Sequence, residues 1–243
     1  MEPTSKVKVI EVVDGHYKEI EDTLANEVAF NFRIGGNFIT IYGSPTDVVD
    51  LIAGMLIYHG YSLNELNRVS VLKGDDSYLI TLRGRPAGRE DSIRAPILSS
   101  EVVLEALNSL MTSSKVHKVT GATHVMGIFD ESGRIKEIME DVSRHTLLYK
   151  ILGRMRLKGY DPEEHFLALS CRITRGIVDI LRRGSVGFAA SKAAVTVQAA
   201  RLGRLHNITL IGFARGNRML IYSGEERVRV KQAKARPESR GSK

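Results

Sequence analysis

Residues 166–222 read FLALSCRITRGIVDILRRGSVGFAASKAAVTVQAARLGRLHNITLIGFARGNRMLIY. Short apolar runs at 166–170, 186–190 and 208–213 alternate with segments whose apolar residues recur at helical spacing. Each run is strand-sized, and its lack of polar alternation marks a strand covered on both faces. A last apolar run at 219–222 follows Gly216-Asn217, a dipeptide suited to a tight hairpin turn. Upstream lie a strand from residue 116, the turn Asp130-Glu131-Ser132-Gly133, a second strand, and a helix over about 142–158 closed by Gly159. The order β-β-α-β-α-β-α-β-β predicts right-handed crossovers and an α/β, three-layer domain with a mainly parallel sheet. Ligands of such sheets sit at the carboxyl ends of the strands.

The first third reads differently, as a smaller α+β domain. Strand-like runs at 28–34 and 38–42 flank Gly35-Gly36-Asn37, and two more at 69–73 and 78–83 flank Gly74-Asp75-Asp76. Between them Ser44 is placed to cap a helix, with Pro45 at its first position and Asp47 at the positive end of its dipole. Val48, Val49, Ile52, Met55 and Leu56 form its apolar face, and Gly60 ends it. Residues 84–96 hold Gly84, Pro86, Gly88 and Pro96 among charged side chains, the composition of an exposed loop and a domain boundary. After it Ser99 or Ser100 caps a helix running to about Met111. The expected divisions are 1–98 for the α+β domain and loop, 99–226 for the α/β domain, and 227–243 for a basic tail.

Charge and cysteine usage narrow the function classes. The 243-residue chain carries 35 Lys and Arg against 28 Asp and Glu, a formal charge of +7, with one cysteine. Seven basic residues against Glu238 fall after residue 226, so the body is nearly neutral and a nucleic-acid partner is not expected. No apolar run is long enough to span a membrane and the start shows no secretory signal, which favours the cytoplasm. Cys171 alone gives no intramolecular disulfide and no multi-cysteine zinc site, and no histidine or carboxylate spacing predicts a metal site.

The strand junctions carry the chemistry. Thr120-Gly-Ala-Thr-His124 is small and polar around a glycine; Ser170-Cys171-Arg172, Ser191-Lys192 and Phe213-Ala214-Arg215-Gly216-Asn217-Arg218 each put a cation beside backbone N–H groups. Two of these junctions open helices, an arrangement suited to phosphate or pyrophosphate. Glu140-Asp141 stands where the helix bearing Arg144 and His145 begins, with Asp141 as its expected N-cap. Each piece also has a plain structural reading: solvated cations, a hairpin turn, hydrogen-bonded histidines. Cys171 is either a small buried residue after an apolar strand or a thiol whose pKa the neighbouring Arg172 lowers.

Taken in order and spacing, these words resemble the FdhD family of formate dehydrogenase accessory proteins. They are Thr120-Gly-Ala-Thr-His124, Glu140-Asp-Val-Ser-Arg-His145 running on to Lys150-Ile-Leu-Gly153, Ser170-Cys-Arg172, and Thr209-Leu-Ile-Gly-Phe213. Ser44-Pro-Thr-Asp47 followed by Leu51-Ile-Ala-Gly-Met-Leu56 and His59-Gly60 is similar to the family's first domain, so the resemblance covers about residues 27–222. It implies a cytidine-deaminase-like fold, a homodimer, and sulfur transfer from a cysteine desulfurase to the molybdenum bis(molybdopterin guanine dinucleotide) cofactor of a molybdenum or tungsten formate dehydrogenase. It also implies that Phe213 to Arg218 hold the nucleotide part, with GDP as an analogue, and the strand-junction reading adds Thr120, Gly121, Thr123, His124, Arg144, His145, Arg172, Ser191 and Lys192 as cofactor-binding candidates. The family's sulfur-carrying Cys-Gly-x-Cys-Gly loop falls between the first domain and Thr120, where this chain has no cysteine. Ser143 and Tyr149 replace the family's glycine and aspartate. A serine hydroxyl cannot carry a persulfide. Three readings follow: cysteine-independent cofactor binding or hand-over, a self-contained sulfurtransferase using Cys171, and an anionic-surface or nucleic-acid binder using the tail.

Overall fold

The computed structural model describes residues 1–84, 86 and 93–230. A two-stranded ribbon, β1 (Thr4–Val13) and β2 (His16–Ala25), leads into β3 (Val28–Ile34), β4 (Asn37–Gly43), α1 (Val48–Tyr58), β5 (Val69–Lys73) and β6 (Ser77–Leu82). The last four strands form a sheet in the order β4-β3-β6-β5, with β3 and β6 parallel and both outer pairs antiparallel. Alternate residues of β3 (Val28, Phe30, Phe32, Ile34) and of β6 (Tyr78, Ile80, Leu82) face Leu51, Ile52, Met55 and Leu56 of α1. The side-chain period of two in the strands and the apolar stripe of the helix thus close one small core.

The second unit contains β7 (Leu98–Ser99), α2 (Ser100–Thr112), α3 (Val116–Thr120), β8 (His124–Asp130), β9 (Ile135–Asp141), α4 (Arg144–Lys158), β10 (His165–Leu169), α5 (Arg175–Arg183), β11 (Phe188–Ser191), α6 (Val197–Leu205), β12 (Thr209–Arg215), β13 (Arg218–Ser223) and β14 (Val228–Arg229). Its six-stranded sheet has the order β13-β12-β11-β10-β8-β9. The three central strands β10, β11 and β12 are parallel, and antiparallel pairs flank them on both sides. Met126, Ile128, Leu167, Leu169, Ala189 and Leu210 face α4, α5 and α6; Val125, Phe129, Phe166, Ala168, Phe188 and Ile211 face α2. The predicted α/β architecture with helices on both faces is therefore present, its parallel character concentrated in the sheet centre.

The two units meet along α1 and α4. Gly54 lies against the Tyr149 carbonyl and Gly153 against the Asp50 carbonyl, so closely that a Cβ at either position would overlap the opposing backbone. Arg154 forks onto Asp50, Nε to Oδ1 at 2.7 Å and Nη2 to Oδ2 at 2.8 Å, and also reaches Asp47 and Glu137. This bidentate, half-buried geometry is the strong form of a guanidinium–carboxylate contact.

Several local expectations are corrected. Ser44 does not cap α1: its hydroxyl accepts the Val142 N–H and its carbonyl accepts from Lys150, while Asp47 stands at the N-cap with φ 53° and no side-chain cap bond. Residues 116–120 form a helix, not the start of a strand. The cap of α4 is Ser143, whose Oγ accepts the Thr146 N–H; Asp141 is engaged elsewhere. Val228–Arg229, expected in the tail, pair with Leu98–Ser99; residues 231–243, and 85 and 87–92 of the expected boundary loop, lie outside the described residues. Among the described residues no helix is long and apolar enough to cross a membrane.

Candidate functional site

The direction of β8 assembles the site. Because β8 runs antiparallel to β10, with Met126 opposite Leu169, the amino end of β8 shares an edge with the carboxyl ends of β10, β11 and β12. Thr120 to His124 therefore meets the other three junctions although it precedes its strand. A cavity of about 560 Å³ opens there, lined by Gly121, Thr123, His124, Lys192, Arg215 and Gly216 from the sequence reading, together with Met111, His117, Ala122 and Ser170. A second cavity of about 450 Å³, around Arg94, Arg156 and Tyr160, lies at the opposite edge, away from these junctions.

The loops that shape the cavity are tied to one another. Arg215 Nε donates to the Lys192 carbonyl at 2.9 Å, and the Phe213 N–H donates to the Ala193 carbonyl at 3.0 Å. The β12–β13 register shifts between Gly212 and Arg215, and Phe213 sits there at φ 50° with 41% of its surface exposed. A non-glycine residue held in the left-handed region at a bulge is a built feature of the kind found beside binding sites. Gly216 has φ 59° and forms the hairpin turn with Asn217, so it is at once the tight turn expected and part of the lining.

Glu140 and Asp141, adjacent on β9, serve opposite sides of the strand. The Glu140 carboxylate accepts the Val116 N–H at 3.1 Å, the His117 N–H at 2.6 Å and the Thr123 hydroxyl at 3.1 Å, which fixes α3 and the loop after it. His117 Nδ1 lies 2.5 Å from the Thr123 carbonyl. A carbonyl can only accept, so Nδ1 carries a proton, and in the neutral tautomer this leaves Nε2 as the acceptor. Asp141 instead receives Lys150 Nζ at 2.5 Å and the Ser143 N–H at 2.8 Å, with Lys150 also donating to the Ser44 carbonyl at 2.8 Å. Asp141 and Lys150 have fully buried side chains. Burial raises the Asp141 pKa against the opposing pull of Lys150. This pair anchors the amino end of α4, where Arg144 and His145 begin.

The charge at this edge is cationic. Burial pushes the His124 pKa down, and the charges of Arg144, His117, Arg172 and His145 push it further in that order. His145 is likewise lowered, by burial and then by Arg144. Arg144 Nε is buried with no hydrogen-bond partner among the described residues. Both histidines therefore favour the neutral form near pH 7, leaving the arginines and Lys192 as the standing positive charges.

Other expected positions separate from the cavity. Ser191 is fully buried and donates to the Cys171 carbonyl at 2.6 Å. Thr120 donates to the Val116 carbonyl and accepts the Ala122 N–H, a turn role. Ala214 is buried, and Asn217 and Arg218 stand outside the lining. The helix-terminus argument for an anion is also corrected: α5 and α6 begin only at Arg175 and Val197, and the N–H groups of Lys192 and Ala193 are spent on Leu169 O and Ser191 Oγ. Positive side chains remain as the basis for anion binding. Cys171 is buried, and burial outweighs Arg144 and Arg172 to push its thiol up to about 11. Among the described residues no three His, Cys, Asp or Glu side chains group as metal ligands do. Sequence reasoning missed His117, whose only signal was its place just ahead of Thr120.

The profile of the FdhD/NarQ family matches residues 81–229, more than half of the chain and all of the cavity. The chain belongs to the FdhD/NarQ family. Protein FdhD of Methanocaldococcus jannaschii is 28% identical over 222 residues, covering 90% of this chain and 96% of the relative. The sulfur carrier protein FdhD of Sulfolobus acidocaldarius is 28% identical over 247 residues, covering 92% and 98%. The crystal structure of a candidate formate dehydrogenase accessory protein from Desulfotalea psychrophila superposes with a TM-score of 0.77 at 19% identity, covering 93% of this chain and all of that one, which establishes the shared fold. The FdhD/NarQ match begins in β6 and ends in β14, so the smaller first unit lies mostly outside the profile while both near-full-length relatives include it.

Proposed function

We propose that this chain is an accessory protein of formate dehydrogenase maturation that binds the guanine dinucleotide end of the molybdenum bis(molybdopterin guanine dinucleotide) cofactor as cargo. The observation that carries this reading is the cavity of about 560 Å³ at the carboxyl edge, which joins Lys192 and Arg215 to Gly216 and His124 within the family match. Its size falls in the range of small-molecule sites. Lys192 and Arg215 in the lining suit a diphosphate, and His117 in its neutral form offers an acceptor to a base that presents N–H groups. The formate dehydrogenase association and the sulfur-carrier role are drawn from the names of the relatives. The partners proposed are a molybdenum or tungsten formate dehydrogenase, a cysteine desulfurase as sulfur source, and a second copy of this chain.

Cofactor binding or hand-over without a cysteine is favoured over sulfur transfer by Cys171. A buried thiol with a pKa near 11 is a poor nucleophile at neutral pH. Calorimetric titration with GDP, and ATP as control, tests the reading. Saturable binding selective for GDP is expected, weakened about tenfold or more by Lys192→Ala or Arg215→Ala, as loss of a charge-assisted contact predicts. No heat at millimolar GDP would overturn it. For the thiol alternative, incubation with a cysteine desulfurase and cysteine followed by intact mass is decisive: one added sulfur on Cys171 would favour self-contained transfer.

A further inference from the structure

Glu140, on β9, spends its whole carboxylate on one piece of the cavity wall. Oε1 accepts the N–H groups of Lys115 at 2.5 Å and Val116 at 3.1 Å; Oε2 accepts the N–H of His117 at 2.6 Å and the hydroxyl of Thr123 at 3.1 Å. Four bonds are about the capacity of a carboxylate. His117 Nδ1 in turn donates to the Thr123 carbonyl, so Glu140, His117 and the buried Thr123 close a ring of three hydrogen bonds. With its backbone N–H and one ring nitrogen both tied, the imidazole of His117 is held in one orientation. The five-residue α3, too short to hold itself, takes its place from the same carboxylate. His117 lines the cavity, and its Nε2 has no hydrogen-bond partner among the described residues.

The rest of the lining makes this nitrogen distinctive. Lys192 and Arg215 can only donate, and among the described residues no carboxylate lines the cavity. The Ser170 hydroxyl already accepts the Val125 N–H. His124, the other imidazole of the lining, has no hydrogen bond among the described residues that fixes its tautomer. Of the two imidazoles, His117 is the one whose direction and tautomer are both set. A 6-oxopurine such as guanine or hypoxanthine presents N1–H, whereas adenine presents a lone pair at N1. Acceptor facing acceptor leaves both unpaired, and a site built to bond an N–H rejects the analogue that lacks it. We infer that His117 selects a 6-oxopurine base by accepting its N1–H at Nε2, and that Glu140 is the positioning residue that aims the imidazole. The inference rests on the nucleotide reading of the cavity and names the atoms that choose the base.

The test is calorimetry on the full chain with GDP, inosine diphosphate and ADP, which carry the same diphosphate, at about pH 8, where imidazoles are neutral. Wild type should bind GDP and inosine diphosphate alike and ADP about tenfold or more weaker, the scale of one hydrogen bond lost with its acceptor left unpaired. His117→Phe keeps a ring and removes the acceptor, so it should bring GDP and inosine diphosphate down to the ADP level while ADP stays where it was. Glu140→Ala and the milder Glu140→Gln should lose the same preference. Adding His117→Phe to either should remove nothing more, as a double-mutant cycle shows for residues acting through one contact. A merely structural role for Glu140 would lower all the nucleotides alike and leave their ratio. Circular dichroism checks that each variant is folded. No binding of any nucleotide to wild type would overturn the cavity reading and this inference together. GDP binding whose preference over ADP survives His117→Phe, or inosine diphosphate bound as weakly as ADP, would overturn the role of His117 alone. A preference lost in His117→Phe but kept in both Glu140 variants would overturn the role of Glu140 alone.

Discussion

Replacing Lys150 with methionine tests whether the buried ion pair holds the two units together at the site. Lys150 and Asp141 are both fully buried, and Lys150 spends its hydrogen bonds on Asp141 Oδ2 and the Ser44 carbonyl. Methionine keeps most of the volume but leaves Asp141 with backbone N–H donors and no counter-charge. Breaking one side of a buried pair costs about 3–5 kcal/mol. For a chain of this size that is a fall of roughly 6–20 °C in Tm, at about 2–4 °C per kcal/mol. The pH dependence has a definite sign. Without Lys150 the folded-state pKa of Asp141 rises further above its unfolded value, near 3.9, so the folded form prefers the protonated acid. Its contribution is retained at low pH and lost as pH rises through the folded value. The defect of Lys150→Met should thus be largest near pH 7 and shrink at pH 5. Adding Asp141→Asn should recover most of it, since the orphaned charge is gone. Urea denaturation of the three proteins at both pH values reads all of this. A single variant within 1 kcal/mol of wild type at pH 7, or a defect that grows on acidification, would refute the reasoning.

Gly153→Ala should cost more than about 2 kcal/mol despite alanine's better helix propensity, because its Cβ meets the Asp50 backbone; thermal melting checks it. Cys171 should react with iodoacetamide at least a hundredfold more slowly in the native protein than in urea, as its burial and a pKa near 11 require; mass spectrometry follows the adduct. His124 and His145 both titrate below the ordinary 6.5, so the unfolded chain takes up protons first and stability should fall as pH drops from about 6.5. A bound diphosphate favours their protonated forms, so GDP affinity should rise over the same interval, which calorimetry at pH 7.5 and 6.0 measures.

What was legible from the residues was whatever depends on neighbours along the chain. The buried strands after residue 165 announce themselves by short, uninterrupted apolar runs, and Ser99 and Gly159 end helices by local hydrogen bonding and backbone preference. What stayed hidden depends on distant partners. Val116-His-Lys-Val-Thr120 alternates like a strand, and its helix is secured by Glu140, more than twenty residues away. Ser44 and Asp47 have the composition of a helix start, yet tertiary contacts with Val142 and Arg154 claim their side chains. Asp141 likewise yields the cap of α4 to Ser143 because a buried lysine competes for it. The β1–β2 ribbon is the exception. Its Asp14-Gly15 turn, both residues at positive φ, and its flanking apolar residues are a local signal of a hairpin. Of the site, the four junctions were legible as chemistry, while their meeting depended on the reversed direction of β8.

That reversal also sends the β8–β9 turn to the edge of the sheet opposite the cavity of Lys192 and Arg215. The turn between β8 and β9 lies there, with Glu131 and Ser132 exposed and Asp130 held below the usual carboxylate range by hydrogen bonds from Ser132 and the Arg134 backbone. A biotin-acceptor peptide or a fluorophore attached at the exposed Glu131 would be carried by a turn a full strand length from Lys192 and Arg215. The protein can thus be tethered to a sensor surface with its cavity facing the flow.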